Sequence, residues 1–158
     1  MACSDIEASF IKSYLRTAPK NVIFSIETQP LGTAGAVKKA AGLVATDDFL
    51  VVNVDDMTDV DLRSLINFGT NTVCVSNPRL RYGMIEIEQG EVRSFREKPL
   101  LKDVWVNCGV YFISKNLASK LPNKGSLEQD VFPYIDLRAY KHYGSWRTAS
   151  LGHHDHSK

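Results

Sequence analysis

Leu50-Val51-Val52-Asn53-Val54-Asp55-Asp56 carries an apolar, β-type run straight into a pair of carboxylates. A strand that delivers an aspartate at its carboxyl end stands where open α/β sheets place their ligands. About twenty residues upstream lies Pro30-Leu31-Gly32-Thr33-Ala34-Gly35. About forty residues downstream lies Phe95-Arg96-Glu97-Lys98-Pro99. The order of these three stretches decides how the rest of the chain is read.

Working outward, residues 49–54 read as a parallel strand buried on both faces, because the apolar run is continuous. Residues 33–44 are rich in Ala and Lys, and they read as a helix opening behind a glycine-containing loop. Before it, residues 21–27 form a short β-rich stretch. At the start of the chain, Ser4-x-x-Glu7 resembles a capping box ahead of apolar residues at helical spacing, which implies a helix to about Arg16. Residues 59–68 read as another helix with acidic residues at its start. Residues 71–76 read as a strand, and residues 84–95 as a β-hairpin turning at Gln89-Gly90. A strand at 104–113, short helical pieces at 114–121 and 126–134, and a terminal pair of strands at 137–140 and 145–148 complete the pattern. Alternating β and α elements followed by mostly β imply an α/β fold with a parallel sheet and an antiparallel extension.

Composition bounds the function. At 158 residues, the chain has the size of one domain. Lys and Arg number 19 against 18 Asp and Glu, too even a balance for a nucleic-acid-coating surface. No apolar run reaches membrane-spanning length, and the N-terminus lacks the basic and apolar parts of a signal peptide. Cys3, Cys74 and Cys108 have no metal-like spacing and read as free thiols in a reducing compartment, so a cytoplasmic setting is expected. No nucleic-acid or membrane partner is expected. Residues 1–150 are expected to form one domain, and the polar 151–158 tail is expected to be disordered.

Each candidate site has two readings. Asp55 at a strand's end suits a hard cation such as Mg2+, which takes oxygen ligands; Asp55-Asp56 equally suits a polar strand exit. The glycines of residues 30–35 allow a ligand close to the backbone at a helix N-terminus, or simply a tight turn. Lys98 suits a phosphate as a point charge and Glu97 suits sugar hydroxyls; an edge-strand ion pair is the plainer alternative. Gly83, Asn107 and Gly109 offer backbone and an amide to a ligand, or a turn and a strand bulge. For Glu128 and Asp130, helix capping and backbone support is the simpler reading.

Taken together and in order, these motifs resemble the sugar-phosphate nucleotidylyltransferases, which include glucose-1-phosphate thymidylyl- and cytidylyltransferases and mannose- or heptose-1-phosphate guanylyltransferases. The resemblance rests on residues 27–36, 49–62, 81–83, 95–99, 105–111, 126–133 and 139–146, and covers roughly residues 5–150. It implies a truncated Rossmann-like nucleotidyltransferase fold: α/β, with a mixed, mostly parallel sheet flanked by helices and a β-hairpin extension. It places Glu27, Pro30, Gly32 and Thr33 at the nucleotide. It places Gly83, Glu97, Lys98, Asn107 and Gly109 around the sugar phosphate. Asp55 would hold Mg2+, and Asp55 and Lys98 would be catalytic. The partners implied are a nucleotide and a sugar 1-phosphate.

Three departures shape the expectation. The family's opening strand and glycine-rich triphosphate loop have no counterpart in this sequence. Val54 stands where the family has Gly, so its side chain is expected to crowd the metal. The family's second metal aspartate follows a Trp near the end of the domain, and in one register Ser150 occupies that place after Trp146. The sequence reading therefore expects little or no activity from this chain alone, a non-catalytic binding or assembly role, or activity by complementation with the missing segment. It also expects self-association to cover apolar strand edges.

Overall fold

The computed structural model describes residues 2–3 and 22–148. The chain divides into two compact units. The first comprises Met1–Val51 and Phe112–Arg138, and the second Val52–Tyr111 and Ala139–Lys158. The helix expected near the N-terminus, Ser150 and the 151–158 tail lie outside the described residues.

The first unit begins with two short parallel strands, β1 (Ala2–Cys3) and β2 (Ser25–Ile26). The expected strand at 21–27 thus keeps two residues. Helix α1 (Gly32–Ala41) follows, ending three residues before the sequence-based limit. Gly42 stops it: Gly42, Leu43 and Val44 turn their amides back to the carbonyls of Lys39, Ala40 and Ala41, the tighter bonding typical of a helix end. Lys38 and Lys39 in its last turn suit the negative end of the helix dipole. Lys39 Nζ also reaches the Ile26 carbonyl. Strand β3 (Asp48–Val52) comes next.

In the second unit, β4 (Asp56–Thr58) precedes helix α2 (Leu62–Phe68). That helix starts later than the acidic residues suggested, because Asp61 is its cap rather than part of its first turn. Asp61 accepts from the Arg63 amide at 3.0 Å and the Ser64 hydroxyl at 2.6 Å. Strand β5 (Thr72–Ser76) follows. Strands β6 (Met84–Glu88) and β7 (Glu91–Arg96) form the expected hairpin. Its turn residues Gln89 and Gly90 both have positive φ, +52° and +85°, matching the twist that two-residue hairpins favour.

Strand β8 (Val106–Ser114) carries the chain onward to α3 (Lys115–Lys120), capped by the Ser114 hydroxyl, which accepts from Leu117 N at 3.1 Å. A π-helical turn (Leu127–Val131) and a 3₁₀ turn (Phe132–Tyr134) follow, then β9 (Arg138–His142) and β10 (Trp146–Thr148).

Strands β3, β8, β5 and β9 hydrogen-bond in that order as a four-stranded sheet. Six consecutive residues of β8, Cys108–Ile113, are buried, as befits an interior strand covered on both faces. β3 was expected to fill that role. It stands instead at one end of the four strands, and Val52 is 53% exposed. The last two strands do not pair with each other as expected. β9 joins β5, while β10 runs antiparallel to β4, setting Trp146 against Thr58 and Thr148 against Asp56. Among the described residues, no helix is long and apolar enough to cross a membrane.

Candidate functional site in the second unit

The Asn53–Asp56 segment is a turn followed by a new strand, not a simple strand exit. Val54 and Asp55 form the turn, and Asp56 opens β4. The Val54 side chain is 91% exposed, so it points to solvent and does not crowd the neighbouring carboxylate of Asp56. Asp55 is exposed as well. Asp56, which sequence reasoning did not single out, is the inward carboxylate.

Two contacts and one backbone bond fix that carboxylate's surroundings. Asn53 Nδ2 donates to Asp56 Oδ2 at 3.2 Å. Gly109 sits directly against it with φ +68°, and a Cβ there would overlap the Asp56 carboxylate. The Asn53 amide donates to the Gly109 carbonyl at 2.8 Å. Asn107 adds order from the same strand: its Oδ1 accepts from Gly109 N at 2.9 Å, and its Nδ2 donates to the Tyr111 hydroxyl at 2.6 Å. Gly109 is therefore glycine for two physical reasons, backbone hand and room for a carboxylate.

Burial pushes the Asp56 carboxyl above the usual range, against hydrogen bonding from Asn53. The negative charge of Asp55 pushes in the same direction as burial, while Trp146 and Thr148 favour the ionised form. The buried Trp146 Nε1 lies near this carboxylate without closing a well-formed hydrogen bond. Behind Gly109, the Cys108 thiol is pushed far above its usual range by its pairing with Cys74, with burial adding to the effect.

A second group of predicted residues gathers on the hairpin side. A Cβ on Gly83 would strike the Phe95 ring and lie 3.1 Å from Glu97 Oε2. Lys98 Nζ is 3.6 Å from Glu97 Oε1. The Lys98 backbone has φ +46°, rare for a residue with a side chain. Its carbonyl accepts from Arg79 Nη1 at 3.0 Å, and a bridge between Arg79 and Leu100 holds the two segments side by side.

Lys98 lines a cleft of about 880 Å³ together with Arg79, Arg81, Tyr143, Trp146 and Arg147. Thr148, near Asp56, also lines it. One wall is pinned by Asp59, whose Oδ1 is 2.8 Å from both His142 Nε2 and Ser145 N. Sequence reasoning missed Arg147 and the part played by Arg79. The Arg79-x-Arg81 alternation is the signal that was available, since residues two apart in extended chain share a side.

The predicted nucleotide-side residues fall in the first unit. Glu27 is buried, and its Oε2 accepts from Leu31 N at 2.9 Å; Pro30 is exposed. Gly32 has φ +71°, and a Cβ there would run into the Gly125 carbonyl. That carbonyl accepts from Ala34 N at 2.9 Å, while Gly125 N donates to Leu31 O at 2.9 Å. The Thr33 hydroxyl donates to Glu128 Oε2 at 3.0 Å and accepts from Leu127 N at 2.7 Å. Glu128 and Asp130 accept from Ser126 in turn, so both acids support this loop, as the simpler reading held.

Among the described residues, no three His, Cys, Asp or Glu side chains gather as a metal cluster. Mg2+ commonly takes one or two carboxylates and fills its shell with water and substrate phosphates. Asp55 and Asp56 are the adjacent carboxylates that would offer such ligands.

A mixed sheet flanked by helices, with a carboxylate turn beside a basic cleft in the second unit, defines an α/β architecture. The family model described as nucleotidyl transferase matches residues 1–133, and the chain belongs to that family. It is 29% identical to mannose-1-phosphate guanyltransferase of Emericella nidulans, over 90% of this chain and 44% of that protein. It is 33% identical to D-glycero-alpha-D-manno-heptose 1-phosphate guanylyltransferase of Aneurinibacillus thermoaerophilus, over 78% of this chain and 57% of that protein. The chain thus spans about half the length of these curated relatives. Among solved structures, HddC from Yersinia pseudotuberculosis superposes with a TM-score of 0.68 at 28% identity, covering 93% of this chain and 70% of that one. The same protein has been solved with GMP-PN.

Proposed function

We propose that this chain takes part in nucleotidyl transfer from a nucleoside triphosphate to a sugar 1-phosphate, with guanosine as the leading base. The observation that carries the reading is the continuity of the second unit's site. Trp146 and Thr148 flank the Asp56 carboxylate and also line the basic cleft that holds Lys98. A carboxylate pair for a cation thus borders a cationic place for a sugar phosphate. The names of the relatives, both guanylyl-transferring enzymes, support the same reaction and favour guanylyl transfer.

In the reaction, a phosphate oxygen of the sugar 1-phosphate attacks the α-phosphorus of the triphosphate. A new P–O–P bond forms, the bond from the α-phosphorus to the bridging oxygen breaks, and pyrophosphate leaves with the electron pair. Asp55, with Asp56 behind it, would hold Mg2+, which supplies positive charge to the reacting phosphates. Lys98 neutralises the attacking sugar phosphate. Glu97 accepts from sugar hydroxyls; Gly83 leaves room beside it for the Phe95 ring, and Gly109 leaves room for the Asp56 carboxylate. Asn107 orients the strand that carries Gly109. Catalysis of this kind is positioning and charge stabilisation, which asks for fixed dipoles rather than a proton shuttle. We assign nucleotide contacts to Glu27, Pro30, Gly32 and Thr33 of the first unit by the family resemblance alone.

Pyrophosphate release tests it. GTP, CTP, ATP, UTP and dTTP are each paired with mannose, glucose and heptose 1-phosphates in the presence of Mg2+. Against the sequence-based expectation of little or no activity from this chain alone, GTP with mannose or heptose 1-phosphate is expected to turn over, and fastest of the pairs. Absence of pyrophosphate from every pair would refute the reading.

A further inference from the structure

The cleft beside Lys98 carries more positive charge than one phosphate monoester asks for. A monoester carries about 1.5 to 2 negative charges at neutral pH. The cleft is lined by Arg79, Arg81, Lys98 and Arg147, with no carboxylate among its described lining residues. Lys98 is partly balanced by Glu97 at 3.6 Å. Arg79 spends one guanidinium donor on the Lys98 carbonyl and keeps its charge. Arg81 and Arg147 enter no ion pair among the described residues. Both side chains are exposed, ready for a ligand from solution.

Chemistry and size narrow the ligand. Guanidinium groups bind carboxylate and phosphate oxygens through two parallel donors, which Lys cannot do. At about 880 Å³, the cleft lies in the range that takes a whole small ligand rather than a lone ion. Pro78, Leu80, Leu100, Tyr143 and Trp146 supply an apolar and aromatic lining, the surface a sugar ring uses between two polar ends.

We infer that the cleft takes a doubly anionic sugar 1-phosphate, with the 1-phosphate at Lys98 and a second phosphate or carboxylate on Arg81 and Arg147. The inference rests on the sugar-phosphate reading above and narrows its substrate class. The Arg79 contacts to Lys98 and Leu100 hold the segment that leads to Arg81 beside Lys98.

The test is titration calorimetry on the intact chain with Mg2+ at low salt. The probes are glucose 1-phosphate with glucose 1,6-bisphosphate, mannose 1-phosphate with mannose 1,6-bisphosphate, and glucuronic acid 1-phosphate. At least one doubly anionic ligand is expected to bind about tenfold or more tightly than its singly phosphorylated counterpart, the scale of one added charge-assisted contact. The bisphosphates and the uronic acid tell phosphate from carboxylate as the second group. Arg81→Ala and Arg147→Ala are expected to bring that ratio below about threefold, whereas Lys98→Ala should weaken every ligand and preserve the ratio. Equal binding of singly and doubly anionic sugars overturns the inference and leaves the proposed function standing. So does a ratio unchanged in both arginine variants. Failure of every sugar phosphate to bind overturns both.

Discussion

The Asn53 amide donates to the Gly109 carbonyl at 2.8 Å, tying the end of β3 to β8 at the point where the carboxylate turn begins. Gly109 has φ +68° and its α-carbon faces Asp56. Substituting Gly109→Ala puts a methyl into the carboxylate and forces an L-residue into left-handed backbone. A loss of about 2 kcal/mol or more is expected in urea unfolding. A change within about 0.5 kcal/mol would show that the Asp56 carboxylate moves aside freely.

The raised pKa of Asp56 has a stability consequence with a definite sign. Its folded-state value lies above the ordinary one, chiefly through burial. The folded state therefore binds more protons in that interval, so this residue's contribution falls as pH rises through it and stays unfavourable above. Asp56→Asn removes the titration. Its stability relative to the parent should rise with pH across the mildly acidic range and level off by neutrality. A relative stability that falls with pH would mean Asp56 is held ionised by its neighbours.

Thr33 joins helix α1 to the 125–128 loop through two hydrogen bonds, to Glu128 at 3.0 Å and from Leu127 N at 2.7 Å. Thr33→Val keeps the shape and loses both. A destabilisation of about 1 kcal/mol is expected from the amide left without its acceptor. An unchanged midpoint in chemical denaturation would mean that water replaces the hydroxyl at no cost.

Cys74 and Cys108 are fully buried thiols, and Cys108 is held protonated. Neither should be alkylated in the native protein, because access to both is closed, even though the hydrogen bond with Cys108 lowers the Cys74 pKa. Site-resolved mass spectrometry after iodoacetamide treatment checks this with and without urea. Rapid native labelling of Cys108 would contradict its packing.

The sequence disclosed much of this fold because several signals were local. The hairpin was legible because Gln89-Gly90 meets the positive-φ demand of its turn. Helix α1 was legible from its Ala and Lys content. The misreadings have a common origin in long-range pairing. Nothing local tells β3 that it stands at one end of four strands, or sends β10 to β4 instead of β9. The inward role of Asp56 depends on a glycine more than fifty residues away. Val54 looked obstructive as a letter beside Asp55, but the turn faces it outward. The basic cleft was hidden because Arg147 lies far along the chain from Arg79 and Arg81.

The central claim is that the carboxylate turn and the Lys98 cleft serve one reaction. The most direct test is the initial rate of pyrophosphate release from GTP and a sugar 1-phosphate, with Mg2+, in the parent and in Asp55→Asn. Asp55 is exposed, so the substitution should leave the fold intact. The account predicts a fall in kcat/KM of about 10²- to 10³-fold at unchanged melting temperature. A parent that turns over while Asp55→Asn retains its rate within about threefold would contradict it.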